Sequence, residues 1–151
     1  MQLKIISYPS QTDNLITNSV LVGGCFDLLH YGHYSFLKSA ALHGSVIVAL
    51  ESDTTIITQK KNAPIHTQQQ RGEILSELIC VAQVICLPPL YTYEDYLTLV
   101  KWANPSVLAI TQGDSQTENK HRQAREIGAK VVVVNTLISG LSSSIIRATH
   151  L

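Results

Sequence analysis

Apolar residues in this chain fall into two patterns. Some form short unbroken runs, at 20–22, 46–50, 84–87, 107–110 and 131–134. Others recur at spacings of three and four. The runs read as strands buried on both faces, because a strand with one wet face would alternate. The spaced patterns read as helices. One covers 32–43, with Leu37, Ala40 and Ala41 on one side and Gly44 as its C-terminal stop. Thr67 and Gln70 have the spacing of a capping box, and the helix they open carries Ile74, Leu75, Leu78 and Ile79. Thr92 caps another, with Tyr96, Leu99 and Val100 as its stripe and Asn104 and Pro105 as its end. A polar helix follows over 117–127, closed by Gly128, and Ser142 opens a last one through Thr149. The polar stretch 52–64, with two adjacent lysines, reads as a loop.

Strand then helix, repeated, predicts an α/β domain in three layers, a five-stranded parallel sheet covered on both faces. That domain spans 20–151. Residues 1–19 read as an N-terminal arm or an extra strand, with 3–8 as the strand candidate. In such folds ligands sit beyond the carboxyl ends of the strands. The loops after Val22, Leu50, Ile110 and Val134 are therefore where chemistry is expected.

Composition narrows the partners. The chain has 151 residues, 45% of them apolar, which suits one domain with one core. Lysine plus arginine and aspartate plus glutamate both count 11. A neutral chain lacks the basic excess that nucleic acid or a membrane surface requires. No run approaches the roughly 20 apolar residues of a membrane span, so a cytoplasmic protein is expected. Cys25, Cys80 and Cys86 make an odd count without a C-x-x-C, so reduced thiols are expected rather than disulfides or structural zinc.

The densest cluster of candidate residues is the segment 23–33, reading G-G-C-F-D-L-L-H-Y-G-H. It starts where the first strand of the domain ends and runs into the first helix. His30 and His33, three apart, share one turn at a helix start. Free amides and the helix dipole attract phosphate there, and Gly24 and Gly32 allow close backbone approach. The pair could instead be half of a metal site, but no nearby Cys, Asp or Glu completes it at a familiar spacing. His43, His66, His121 and His150 have no such context. A nicotinamide site would need G-x-G-x-x-G after the first strand, which is absent.

This segment resembles the G-x-F-D-x-x-H-x-G-H signature of the cytidylyltransferase-like nucleotidyltransferases, a Rossmann-like family. The resemblance continues through Glu51, Ser52 and Asp53, then Lys60 and Lys61, then Arg71, and ends in the segment 140–145, G-L-S-S-S-I, similar to the family's G-x-S-T-T-x-I. It covers 20–147. It implies attack of an acceptor phosphate on the α-phosphorus of ATP or CTP, with pyrophosphate leaving. His30 and His33 would donate to the α-phosphate, Lys60 or Lys61 would neutralise phosphate charge, and Arg71 would hold a phosphate. Nucleotide contacts are implied for Gly24, Cys25, Phe26, Asp27 and Gly32, for Gly113 and Asp114, and for Ser142, Ser143 and Ser144 as a second anion site. Asp27 is read first as an organiser of loop amides, and Asp114 is weighed against a plain surface turn. Mg²⁺ is expected on the nucleotide rather than on protein ligands, and a homodimer is implied.

The acceptor is read from mixed features. The start G-C-F-D and the absence of arginine just before Gly140 resemble the heptose-1-phosphate adenylyltransferase branch. That branch usually has Lys-Gly-Gly-Asp after the fourth strand, and the lysine is absent from Thr111-Gln112-Gly113-Asp114 here. Lys60 and Lys61 ahead of Arg71 are more similar to glycerol-3-phosphate cytidylyltransferases. The expectation is a sugar-phosphate adenylyltransferase, with glycerol-3-phosphate cytidylyltransferase as the alternative. A non-catalytic nucleotide-binding regulator is the alternative of another class.

Overall fold

A computed structural model describes residues 4–11 and 14–136. The elements in chain order are β1 (Ile5–Ser7), β2 (Ser19–Gly24), α1 (Tyr31–Ala40) with a short 3-10 turn (Ala41–His43), β3 (Ser45–Leu50), α2 (Asp53–Lys60), α3 (Gln68–Ser76), β4 (Val81–Cys86), α4 (Tyr93–Ala103), β5 (Val107–Gln112), α5 (Thr117–Ile127) and β6 (Lys130–Thr136). The strands form one parallel sheet in the order β1-β4-β3-β2-β5-β6.

The unbroken apolar runs are explained by the two cores. Successive residues of β2 serve opposite faces. Val20 and Val22 pack with Leu37 of α1 and Leu75 of α3, while Leu21 packs with Leu99 and Val100 of α4 and Ala124 of α5. The runs 20–22, 46–50 and 107–110 are buried throughout, so none of them alternates with a polar residue. The caps read at Thr67, Thr92, Asn104 and Gly128 are present, while the helix expected from Ser142 lies outside the described residues. Thr67 and Gln70 satisfy each other's amides, as do Thr92 and Asp95, and Asn104 and Gly128 close α4 and α5 in left-handed conformation.

Three expectations are corrected. The sheet has six strands rather than five, because Ile5–Ser7 adds to the β4 edge through the pairs Ile5 with Val84 and Ser7 with Cys86. Of the two readings of the N-terminal segment, strand holds there. The strand is short and only Ile6 is buried, so its periodic signal is weak. The polar stretch after β3 contains a helix, α2, capped by the Ser52 side chain on Thr55 N–H. Its composition hides it, since only Thr55 and Ile56 are buried. Finally, α3 stops at Ser76 and leaves Ile79 fully exposed. Glu77 and Leu78 turn the chain toward β4, which starts at Val81.

The strand order reverses at β2. From there the chain moves outward through β3 and β4, then returns to the far side of β2 with β5 and β6. The crevice beyond the ends of β2 and β5 is where a parallel sheet of this type holds ligands. No described helix is long and apolar enough to cross a membrane.

Candidate active site

Between β2 and α1 the chain takes a tight path. Phe26 and Leu28 sit at φ of 49° and 50°, a left-handed conformation that side chains with a Cβ adopt at a cost. Tertiary contacts hold it. The Phe26 ring is buried and lies 5.2 Å from the His33 ring. A Cβ on Gly24 would come within 3.0 Å of that ring, which explains the glycine. The buried Asp27 carboxylate accepts from the amides of Ile65 at 2.8 Å and His66 at 3.0 Å. The organising role expected of Asp27 is thus visible, as a tie between this loop and the segment ahead of α3.

His30 and His33 cap the start of α1 reciprocally. His30 Nδ1 accepts from His33 N–H at 3.3 Å, and His33 Nδ1 accepts from His30 N–H at 3.4 Å. A nitrogen that accepts carries no proton, so each neutral imidazole holds its proton on Nε2. The rings stack with centroids 3.8 Å apart. Burial lowers the pKa of both. His33 falls to about 4, with the neighbouring His30 and Lys60 adding to the effect and Asp27 opposing it. At neutral pH the pair is therefore two uncharged Nε2–H donors. His30 Nε2 is buried and meets no partner among the described residues. Gly32 sits between them in the first turn.

Arg71 is fully buried. Its Nε donates to His66 O at 3.1 Å, Nη1 to Cys25 O at 2.7 Å and Glu51 O at 2.9 Å, and Nη2 to the Asp53 carboxylate at 2.6 Å. It joins the loops after β2 and β3 to the start of α3. Gln68 helps seat that helix by donating to Leu50 O and Leu87 O. Most of the planar fork expected to grip phosphate is thus occupied by the protein itself. Lys60 ends α2, exposed, close enough for its charge to act on Cys25 and His33. Lys61 is the exposed left-handed residue that follows. The Cys25 thiol is held in its neutral form by burial. Ser142, Ser143 and Ser144 lie outside the described residues.

On the other face of the β2 end lies a cavity of about 650 Å³, roofed by α4 and α5. Its floor is apolar, with Leu21, Ala49 and Leu108. Gly24 and Cys25 form the edge it shares with the histidine loop. Gly113, with φ of 81°, turns the chain after β5 and brings Asp114 to the rim. Asp114 accepts from the Gln116 amide at 2.7 Å and pairs with Lys120 at 2.8 Å. Deeper in, the Tyr96 hydroxyl donates to the Glu51 carboxylate, at 3.0 and 3.2 Å to its two oxygens. Burial raises the Glu51 pKa, against the Tyr96 bond and the charges of Arg71 and Lys120. Burial, then Glu51, also pushes the Tyr96 phenol upward. Sequence reasoning missed Glu51, Tyr96 and Lys120 as one group. Tyr96 reads there as part of an apolar stripe, and nothing in the spacing brings it to Glu51.

A model of the cytidylyltransferase-like family matches residues 21–149. The chain is similar to an FAD synthase of Pyrococcus horikoshii, 35% identical over 117 residues, covering 76% of this chain and 77% of that one. It is also similar to the bifunctional protein HldE of Helicobacter hepaticus, 34% identical over 131 residues. That match covers 85% of this chain and only 26% of the longer protein. Among solved structures it resembles the lipopolysaccharide core biosynthesis protein of Thermoplasma volcanium, with TM-score 0.62 and 25% identity over 79% of this chain and 95% of that one.

Proposed function

The chain belongs to the cytidylyltransferase-like family of nucleotidyltransferases, and from that premise we propose that it transfers AMP from ATP to a phosphorylated small molecule seated in the cavity under α4 and α5. The observation that carries this reading is the reciprocal cap, which aims two uncharged Nε2–H donors from the start of a helix, one loop away from the cavity edge at Gly24 and Cys25.

An oxygen of the acceptor phosphate attacks the α-phosphorus in line. A new P–O bond forms as the bond to the bridging oxygen breaks, and pyrophosphate leaves. No covalent intermediate on the protein is required. Charge gathers on the non-bridging oxygens of the α-phosphate, where the His30 and His33 donors and the α1 dipole stabilise it without reorganising. Lys60, the lysine whose field reaches His33, neutralises the triphosphate. Arg71 and Asp27 act as positioning residues, holding the loops that carry this site. Gly24, Cys25, Phe26 and Gly32 let the nucleotide approach the backbone, and Ser142, Ser143 and Ser144 receive the β- and γ-phosphates. Among the described residues no group of three His, Cys, Asp or Glu could hold a metal ion. Mg²⁺ would arrive with the triphosphate and would neutralise part of its charge.

Two acceptor classes are supported. The G-C-F-D start of the motif favours a sugar phosphate of the heptose-1-phosphate type. The similarity to FAD synthases, and a cavity wide enough for a ligand of drug size, favour flavin mononucleotide. The test is pyrophosphate release, crossing ATP and CTP against heptose-1-phosphate, glycerol-3-phosphate, phosphocholine and flavin mononucleotide. ATP with a sugar phosphate or the flavin is the expected productive pair. Turnover with CTP alone would overturn AMP transfer. Nucleotide binding with no turnover would point to the regulatory module.

A further inference from the structure

We infer that Glu51, buttressed by Tyr96, selects the acceptor by reading a neutral hydrogen-bond donor on its body, a hydroxyl or a ring N–H. The inference rests on the cavity being the acceptor site.

The carboxylate stands in a cavity whose floor is aliphatic. It is an acceptor-only group with about four lone-pair positions. Among the described residues one donor reaches it, the Tyr96 hydroxyl, whose single proton is shared between both oxygens. Asp114 and Lys120, the other charged groups lining the cavity, are 2.8 Å apart and satisfy each other. The Glu51 main chain is fully engaged, its N–H on Gly24 O and its C=O on Arg71. The backbone is therefore fixed while the side chain keeps free acceptor positions facing open space. A buried acceptor without a donor is costly. An acceptor molecule that supplies a donor removes that cost, and one that lacks it cannot. Sites built this way reject analogues without the donor by large factors, on the order of 10⁴. Both acceptor classes considered above carry such donors, sugar hydroxyls in one, ribityl hydroxyls and a ring N–H in the other. Phosphocholine carries neither O–H nor N–H outside its phosphate and is the natural negative control. Tyr96 also sets the side-chain orientation, so its hydroxyl fixes where the acceptor's donor must lie.

The test compares wild type, Glu51→Gln and Tyr96→Phe, with melting temperature as the check on folding. The amide keeps the shape and replaces half of the acceptor capacity with a donor. Heptose-1-phosphate, glycerol-3-phosphate, flavin mononucleotide and phosphocholine are each tried with ATP. We expect Glu51→Gln to raise KM for the productive acceptor by about tenfold or more, while KM for ATP moves less than about twofold. Tyr96→Phe should give a smaller rise, of about threefold. Turnover with a sugar phosphate but not with the flavin would assign the donor to a sugar hydroxyl. An unchanged acceptor KM in a folded Glu51→Gln protein overturns the inference, and so does phosphocholine as the preferred acceptor. If no acceptor yields pyrophosphate, the proposed function falls, and calorimetry with the same four molecules decides the inference separately. Binding weakened by Glu51→Gln upholds it. No binding to the wild type overturns it.

Discussion

The two sides of the β2 end differ in how their polar groups are used. On the α1 side nearly every donor and acceptor has an internal partner. Asp27 holds two amides, Arg71 reaches three carbonyls and a carboxylate, and the two histidines cap each other. On the α4–α5 side the Glu51 carboxylate has one shared donor above an apolar floor. The first arrangement is rigid before any ligand binds, as charge stabilisation in a transition state demands. The second is completed by whatever molecule enters. Under the proposed function, one side would serve the reaction and the other the choice of reactant.

The largest effect that could break this contrast is on Arg71. Arg71→Ala strips donors from three carbonyls and leaves Asp53 without its cation. A loss on the order of 3 kcal/mol is expected, read as a lower urea midpoint. A near-neutral result would mean that the loops are held by other contacts. His33→Ala should lower kcat by about 10²–10³-fold, the usual magnitude for one donor to a charged transition state, with little change in acceptor KM. Wild-type turnover in the folded variant would remove His33 from the mechanism.

The neutral state of His33 sharpens the comparison through pH. Its folded pKa of about 4 lies below the ordinary histidine value of 6.5. Between those values the unfolded chain binds more protons, so stability rises with pH across the window and is lost as pH falls from about 6.5 to 4. Urea midpoints measured over that window should fall more steeply for wild type than for His33→Ala. Equal slopes would contradict the burial argument. The smallest effect distinguishes the lysines. Lys60→Ala should raise KM for ATP by about threefold to tenfold, a loss of about 1 kcal/mol for an exposed charge, and Lys61→Ala by less.

Much of the site was legible because it is local. H-x-x-H at a strand-to-helix junction is a short-range pattern, and the reciprocal cap is its direct consequence. The capping boxes at Thr67 and Thr92 were legible for the same reason. Arg71 shows the limit. Its place at the start of α3 could be read, but not its burial, which depends on loops 20 and 46 residues away in sequence. Helix α2 escaped notice because its order comes from one cap and the Arg71–Asp53 pair rather than from an apolar stripe.

The sequence by itself determined the class of fold, the caps, the strand-to-helix junction and the histidine pair, because each depends on contacts within about four residues or on a simple period of apolar positions. Tertiary structure alone decided the sixth strand, the internal commitment of Arg71 and the cavity in which Tyr96 meets Glu51. Those features join groups far apart in the chain. Their partners are set by the order in which the strands pair, a property that no local pattern encodes.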